Sequence, residues 1–238
     1  TEGVANDTLT APYNDLEAVK KLIKENKNQI AAIITEPVVG NMGCVPPQPG
    51  FLEGLRKICD EENMVFIFDE VMTGLRLAPG GAQEKLNINS YLVTYGKVIG
   101  GGLQVGAFGG KKEIMEHIAP LGNVYQAGTL RGNPIAMIAG YTMLNELKNN
   151  PNIYTNLEET GSHLEKGLNP ILDNKKIPHR INRLGSMMSI FFCDHEVTNF
   201  ESASNTDVKT FNKFFHHMLD HEIYLPPSAY ASWFLSNA

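Results

Sequence analysis

At 238 residues, with 42% apolar and 19% charged side chains, the chain has enough core formers and too little charge for disorder. Its acidic balance, 20 Lys and Arg against 26 Asp and Glu for a net charge of −6, excludes the basic face that nucleic-acid binding requires. No apolar run approaches the roughly eighteen residues of a membrane span, so no membrane partner is expected. Cys44, Cys59 and Cys193 are odd in number and share no metal or redox spacing, which fits a reduced, cytosolic type of protein. The chain opens at Thr1 and closes just after the apolar Trp233-Phe234-Leu235, where a natural end is usually polar. A piece trimmed at both ends is therefore expected.

Asn14 precedes Leu16, Val19, Leu22 and Ile23, which are spaced for one helix face, and Glu17 stands three residues after it as in a capping box. Residues 30–35 form a short apolar run of the kind buried on both faces of a parallel sheet. A Pro- and Gly-rich loop over 36–50 follows, and Phe51, Leu52, Leu55, Ile58 and Cys59 mark a second helix. Residues 65–68 predict a second buried strand ending at Asp69-Glu70. Strand, helix, strand with apolar strands predicts a wound α/β fold, mostly parallel, with helices on both faces.

Between Gly96 and Gly132 fall ten of the 22 glycines, and short strands are expected at 92–95 and 105–108. Asn133 as cap and Pro134 at the first helical position open a long helix through about Leu147. The pattern changes at Asn149-Asn150-Pro151, which sets a boundary between a larger unit, 1–149, and a smaller α+β unit, 150–238. In the latter, Leu157, Leu164 and Leu168 suggest a helix, 186–193 a strand, 206–221 an amphipathic helix and 223–225 a short strand.

Lys97 is the only charged side chain between Lys85 and Lys111, among apolar residues and glycines. A poorly solvated lysine there has a lowered pKa and a nucleophilic amine suited to carbonyl chemistry. The competing reading is a lysine that ends a strand and reaches outward on its long stem. The glycines after it do not make a nucleotide loop, because Lys97 leads the Gly100-Gly101-Gly102 run and neither Ser nor Thr follows it. Asp69 ends a predicted strand, at the edge where open α/β sheets place ligands, and could pair with a protonated ring nitrogen; a helix cap or a surface acid is the alternative. Glu36 ends the neighbouring strand. Gly128-Thr129 offers a hydroxyl and backbone amides to a phosphate, a weak signal taken alone. His217 and His221 share a helix face but lack the glutamate of the zincin motif, so no metal is expected.

Thr35-Glu36-Pro37 with Gly40-Asn41, Phe68-Asp69-Glu70-Val71-Met72-Thr73-Gly74 and Gly96-Lys97-Val98-Ile99-Gly100-Gly101-Gly102 together resemble class III aminotransferases of the fold-type I pyridoxal phosphate group. Asn41-Met42-Gly43-Cys44-Val45-Pro46-Pro47, residues 105–110 and residues 125–130 are similar to the aminomutase branch of that family. The resemblance spans essentially all 238 residues. It implies that 1–149 is part of the large cofactor-binding domain and 150–238 a truncated small domain. Lys97 would carry pyridoxal phosphate covalently and shuttle protons, Asp69 would bind the pyridine nitrogen, Val71 would pack on the ring and Asn41 would lie near its phenolic oxygen. Gly128 and Thr129 would hold the phosphate of the partner subunit's cofactor, which implies a homodimer. The implied reaction moves an amino group within glutamate 1-semialdehyde to give 5-aminolevulinate for tetrapyrroles; another class III transaminase or a non-catalytic dimerising relative is the alternative. A cytoplasmic setting is implied, or a plastid if a targeting segment precedes Thr1. Ser90, Tyr91, Gln104, Arg131 and Ala231 depart from the family pattern. The family's other phosphate loop, ring-stacking aromatic and mobile gate lie upstream, so the 238-residue piece alone is expected to turn over little or no substrate.

Overall fold

The computed structural model describes residues 1–237, which build two sheets. In the first, β1 (Ala32–Thr35), β2 (Val65–Glu70) and β3 (Leu92–Tyr95) run parallel, and β4 (Ala107–Gly110) closes the row antiparallel to β3. α1 (Glu2–Asn6) and α2 (Leu16–Glu25) precede β1, α3 (Phe51–Glu61) connects β1 to β2, and α4 (Gly81–Leu86) stands between β2 and β3. The α/β class with a mostly parallel sheet is the one the sequence predicts.

One face of this sheet carries the core. Phe66 and Phe68 are fully buried against Leu52, Leu55 and Ile58 of α3 and Val19 of α2, and their two rings meet edge-on at 4.8 Å. Each such side chain contributes about 1.5–3 kcal/mol on burial. The opposite face differs from the both-face burial expected of the strands. Val65, Ile67 and Asp69 are only half-buried, and Ile34 of β1 is 63% exposed. Among the described residues β1 has a strand neighbour on one side only.

The start of α2 also differs. Asp15 is its cap, accepting from Ala18 N, whereas Asn14 sits at φ 66° and works as a loop clamp. Its amide Nδ2 donates to Pro46 O and Thr198 O, and its Oδ1 accepts from Gln48 N. Asparagine tolerates the left-handed region, and aspartate caps as well as asparagine does, so the spacing alone pointed one residue early.

After α5 (Lys112–Met115), α6 (Pro134–Asn149) starts as predicted, with the Asn133 side chain accepting from Ile135 N and Ala136 N. α7 (Asn152–Asn174) leads to the second sheet, ordered β5 (Arg180–Leu184), β6 (Met187–Phe191) and β7 (Trp233–Phe234), all antiparallel. α8 (Phe200–Ser204) and α9 (Val208–Asp220) lie between β6 and β7. The third strand is β7, not the expected 223–225; β5 escapes an apolar-run reading because Arg180, Asn182 and Arg183 interrupt it.

β6 joins the two halves. It is buried at every position, and its side chains alternate between two cores, as strand geometry requires. Met187 and Phe191 pack with Val38, Val39, Cys44 and Val45 of the first half, while Met188 and Ile190 pack with Phe211 and Trp233 of the second. No described helix is long and apolar enough to cross a membrane.

All three cysteines are free and buried. Burial pushes the thiol of Cys44 up to about 12 and that of Cys59 up to about 11, and raises that of Cys193 as well. A thiolate is the reactive form. A chromogenic disulfide reagent at pH 8 should therefore react negligibly with the native protein and rapidly once denaturant is added. Prompt native labelling of Cys44 would contradict this burial.

Candidate active site

The carboxyl ends of β1, β2 and β3 lie along one edge of the first sheet, where open α/β sheets place ligands. Thr35 of β1 stands beside Phe68 of β2, and Asp69 stands beside Thr94 of β3, so Glu36, Asp69 and the residues after Tyr95 emerge next to one another. The Asp69 side chain is oriented by two donors: its Oδ1 accepts from Val71 N at 3.0 Å and from Thr94 Oγ1 at 3.4 Å. Oδ2 makes no hydrogen bond among the described residues, and Asp69 is half-buried, so one carboxylate oxygen remains for a ligand. Val71 lies over Gly96, where a Cβ would come within 3.1 Å of Val71 Cγ1.

Lys97 opens a 3-10 turn, Lys97–Gly100, at φ 48°. A lysine in the left-handed region costs about 1–2 kcal/mol, and backbone strain of this kind collects at functional sites. The turn is held from beneath by α6: a Cβ on Gly101 would strike the Ala139 carbonyl, and one on Gly140 the Ile99 carbonyl. The expectation of a shielded amine is corrected here. Ile99 and Gly100 are buried, but the Lys97 side chain is exposed. It is the backbone of Ile99, Gly100 and Gly101 that meets α6, while the Lys97 side chain stays outside.

Asn41 belongs to the turn over residues 36–45, which is closed by pairing of Val39 with Val45. Its Nδ2 donates to Glu36 Oε1 at 2.9 Å, and Gly40 N donates to Glu36 Oε2 at 3.0 Å. Gly40 is seated directly on Met72 Sδ, which sets this turn against the segment following Asp69. Asn41, Asp69, Val71 and Lys97 are thus brought to one edge. Gly128 and Thr129 are exposed in the segment before α6, and among the described residues no hydrogen bond links them to those four.

By sequence Glu70 reads only as the end of a strand. Strand alternation turns it to the opposite face from Asp69, where it is fully buried. Its Oε2 accepts from Ala82 N at 2.6 Å and Thr73 Oγ1 at 3.0 Å, and its Oε1 from Gln83 N at 3.3 Å. One carboxylate therefore ties the loop after Asp69 to the start of α4. Glu70→Ala leaves three donors unpaired, two of them buried, and should lower stability by about 3 kcal/mol, read as a fall in the denaturation midpoint. An unchanged midpoint would contradict that role. The signal available in sequence was the period of two from Phe66 and Phe68.

Four of the family departures have local structural roles. Ser90 N and Oγ donate to Gln83 Oε1 at 3.0 and 3.2 Å. The Tyr91 ring lies between the Arg56 guanidinium (4.2 Å) and the Lys111 ammonium (3.8 Å), with its hydroxyl on Asp60. Arg131 closes its own loop by donating to Gln126 O. Ala231 lends its carbonyl to Ser189 Oγ at 3.4 Å. Gln104 is exposed, and nothing in the structure explains it. The His217 and His221 rings meet at 4.3 Å, tilted by 44°, at the end of α9, with His221 Nδ1 2.8 Å from the His217 carbonyl.

The sequence profile of the class-III aminotransferases matches residues 3–228, and the chain belongs to that family. Over all 238 residues it is 56% identical to glutamate-1-semialdehyde 2,1-aminomutase of Flavobacterium psychrophilum, covering 56% of that protein. Its identity to the aminomutase of Acetivibrio thermocellus is 51% over the same 238 residues, 55% of that protein. Among solved structures, a β-phenylalanine aminotransferase from Variovorax paradoxus superposes with a TM-score of 0.88 at 36% identity, over 96% of this chain and 52% of that one. The chain spans about half the length of the curated relatives it matches.

Proposed function

We propose that the complete protein is a pyridoxal phosphate-dependent aminomutase that converts glutamate 1-semialdehyde to 5-aminolevulinate, a tetrapyrrole precursor. The observation that carries this reading is the placement of a half-buried, pre-oriented carboxylate, Asp69, and a left-handed lysine, Lys97, at the ends of adjacent strands in a chain whose whole length matches aminomutases. The residues suit the cofactor. Asp69 offers one unpaired oxygen to a cationic ring nitrogen, Lys97 an accessible amine, Asn41 an amide for an anionic ring oxygen and Val71 an apolar surface for a flat ring. When bound, pyridoxal phosphate supplies an electron-accepting ring that makes the substrate's adjacent carbon–hydrogen bond acidic.

In this reading Asp69 keeps the ring nitrogen protonated, which it does best as a carboxylate fixed by Val71 N and Thr94 Oγ1. Lys97 would hold the cofactor through its amine and would move protons to and from the substrate carbons. Val71, which packs beside Gly96, would give the ring an apolar surface. The complete protein works as a homodimer. Leu121, Tyr125, Leu130, Ile135 and Tyr141 are between 63% and 83% exposed on one stretch, an apolar surface that calls for a partner. Gly128 and Thr129 are exposed within that stretch and would hold the phosphate at the partner's site. Three buried, free cysteines support a cytoplasmic setting.

The similarity to a β-phenylalanine aminotransferase supports a second reading, amino transfer to an external keto acid. One assay separates the two: glutamate 1-semialdehyde is supplied to the complete, cofactor-loaded protein with no keto acid present. Stoichiometric 5-aminolevulinate is expected. Turnover that appears only when a keto acid is added would favour the transaminase, and none under either condition would remove both.

A further inference from the structure

The turn over residues 36–45 is pinned through its backbone from three directions. The Tyr13 hydroxyl donates to Pro37 O at 3.0 Å; Ser232 Oγ donates to Gly40 O at 3.2 Å; Gly43 N donates to Tyr230 O at 2.7 Å and Cys44 N to Ser189 Oγ at 2.9 Å. Gly43, at φ 83°, is seated on the Phe191 ring. None of these contacts touches the Asn41 side chain. Its one protein partner among the described residues is Glu36, whose Oε1 accepts from Asn41 Nδ2 while Oε2 accepts from Gly40 N.

That geometry fixes which way the Asn41 amide faces. A carboxylate accepts hydrogen bonds and cannot donate them. Flipping the amide would set Oδ1 against Glu36 Oε1, two acceptors in contact, at the loss of a charge-assisted bond. One N–H is therefore spent on Glu36, and the second is left to point away from it.

Resting on the reading of Asn41 as a neighbour of the cofactor's ring oxygen, we propose that Glu36 is a positioning residue: it holds the Asn41 amide so that its free N–H, and not its oxygen, meets an anionic oxygen on the bound ring. A donor aimed at an anion favours the deprotonated form and lowers the pH at which it takes up a proton. The titratable group facing Glu36 from α2's leading segment is Tyr13. Burial first, then the charges of Glu36 and Cys44, push its hydroxyl far above the usual range, so it stays a neutral donor across the working pH.

The test uses the complete protein loaded with pyridoxal phosphate and follows its visible band against pH. Asn41→Ala should raise the midpoint by about one pH unit, the size expected when one hydrogen bond to a charged group is lost. E36Q, which matches the glutamate in shape but allows the amide to flip, should raise it by at least half as much. The double variant E36Q/N41A should move no further than Asn41→Ala, since both remove the same bond. A wild-type midpoint in E36Q beside a shifted Asn41→Ala overturns the role of Glu36 and leaves the cofactor site intact. An unshifted Asn41→Ala, or no visible band in the wild type, defeats the reading of the site itself and this inference with it. Should E36Q misfold, E36D repeats the test with the charge retained and the reach shortened: an upward shift supports the role, and an unchanged midpoint overturns it.

Discussion

Lys97→Ala in the complete protein is expected to lose both its visible cofactor band and its turnover, with a fall in kcat of about 10⁴-fold or more. Positioned proton transfer alone supplies up to about 10⁴-fold, and the same amine is the proposed point of covalent capture. Stability should hardly change. The side chain is exposed, and exposed substitutions away from caps and networks stay within about 0.5 kcal/mol. Alanine inherits the left-handed backbone at φ 48°, so no strain is relieved that could mask the effect. A variant that keeps its band and more than a tenth of its activity would remove Lys97 from the chemistry.

Asp69→Asn is expected to cost less in binding than in rate. Asparagine can keep an oxygen toward Val71 N and Thr94 Oγ1, so the carboxyl end of β2 should retain its shape. What disappears is the negative charge proposed to face the ring nitrogen. Removal of one preorganised electrostatic group typically lowers kcat by about 10²–10³-fold. The comparison to make is kcat and cofactor affinity in parallel with the wild type. A thousandfold slower enzyme that still holds its cofactor matches the proposed role; activity within threefold would place Asp69 among structural caps.

Why some of this was legible in sequence and some was not is visible residue by residue. Residues 65–68 announced β2 because Val, Phe, Ile, Phe is unbroken, and Asn133-Pro134 announced α6 because cap and first-turn proline act locally. Such signals need no knowledge of the rest of the chain. The strand β5 is the opposite case: Arg180-Ile-Asn-Arg183-Leu pairs with β6 through its backbone, and its polar side chains hide it. β7 spans only Trp233–Phe234 and exists because it pairs with Met187 and Met188, more than forty residues earlier in the chain.

The site divides in the same way. Lys97 and Asp69 stood out by isolation and by position at strand ends, both properties of the local sequence. The solvation of Lys97 was misjudged, because apolar neighbours in sequence are not neighbours in space when a turn sends its backbone toward α6 and its side chain outward. Glu70 was missed since its partners, Ala82 and Gln83, are a dozen residues on and bind it through backbone amides, which leave no mark on residue type. The link from Glu36 to Asn41 spans five residues and depends on the turn being closed by Val39 and Val45.

The most direct measurement is to load the complete protein with pyridoxal phosphate, fix any carbonyl–amine linkage with borohydride, and map the labelled peptide by mass spectrometry. The adduct is predicted on Lys97, in the peptide that follows β3. An adduct on any other lysine, or none above background, would contradict the assignment of this sheet edge as the cofactor site.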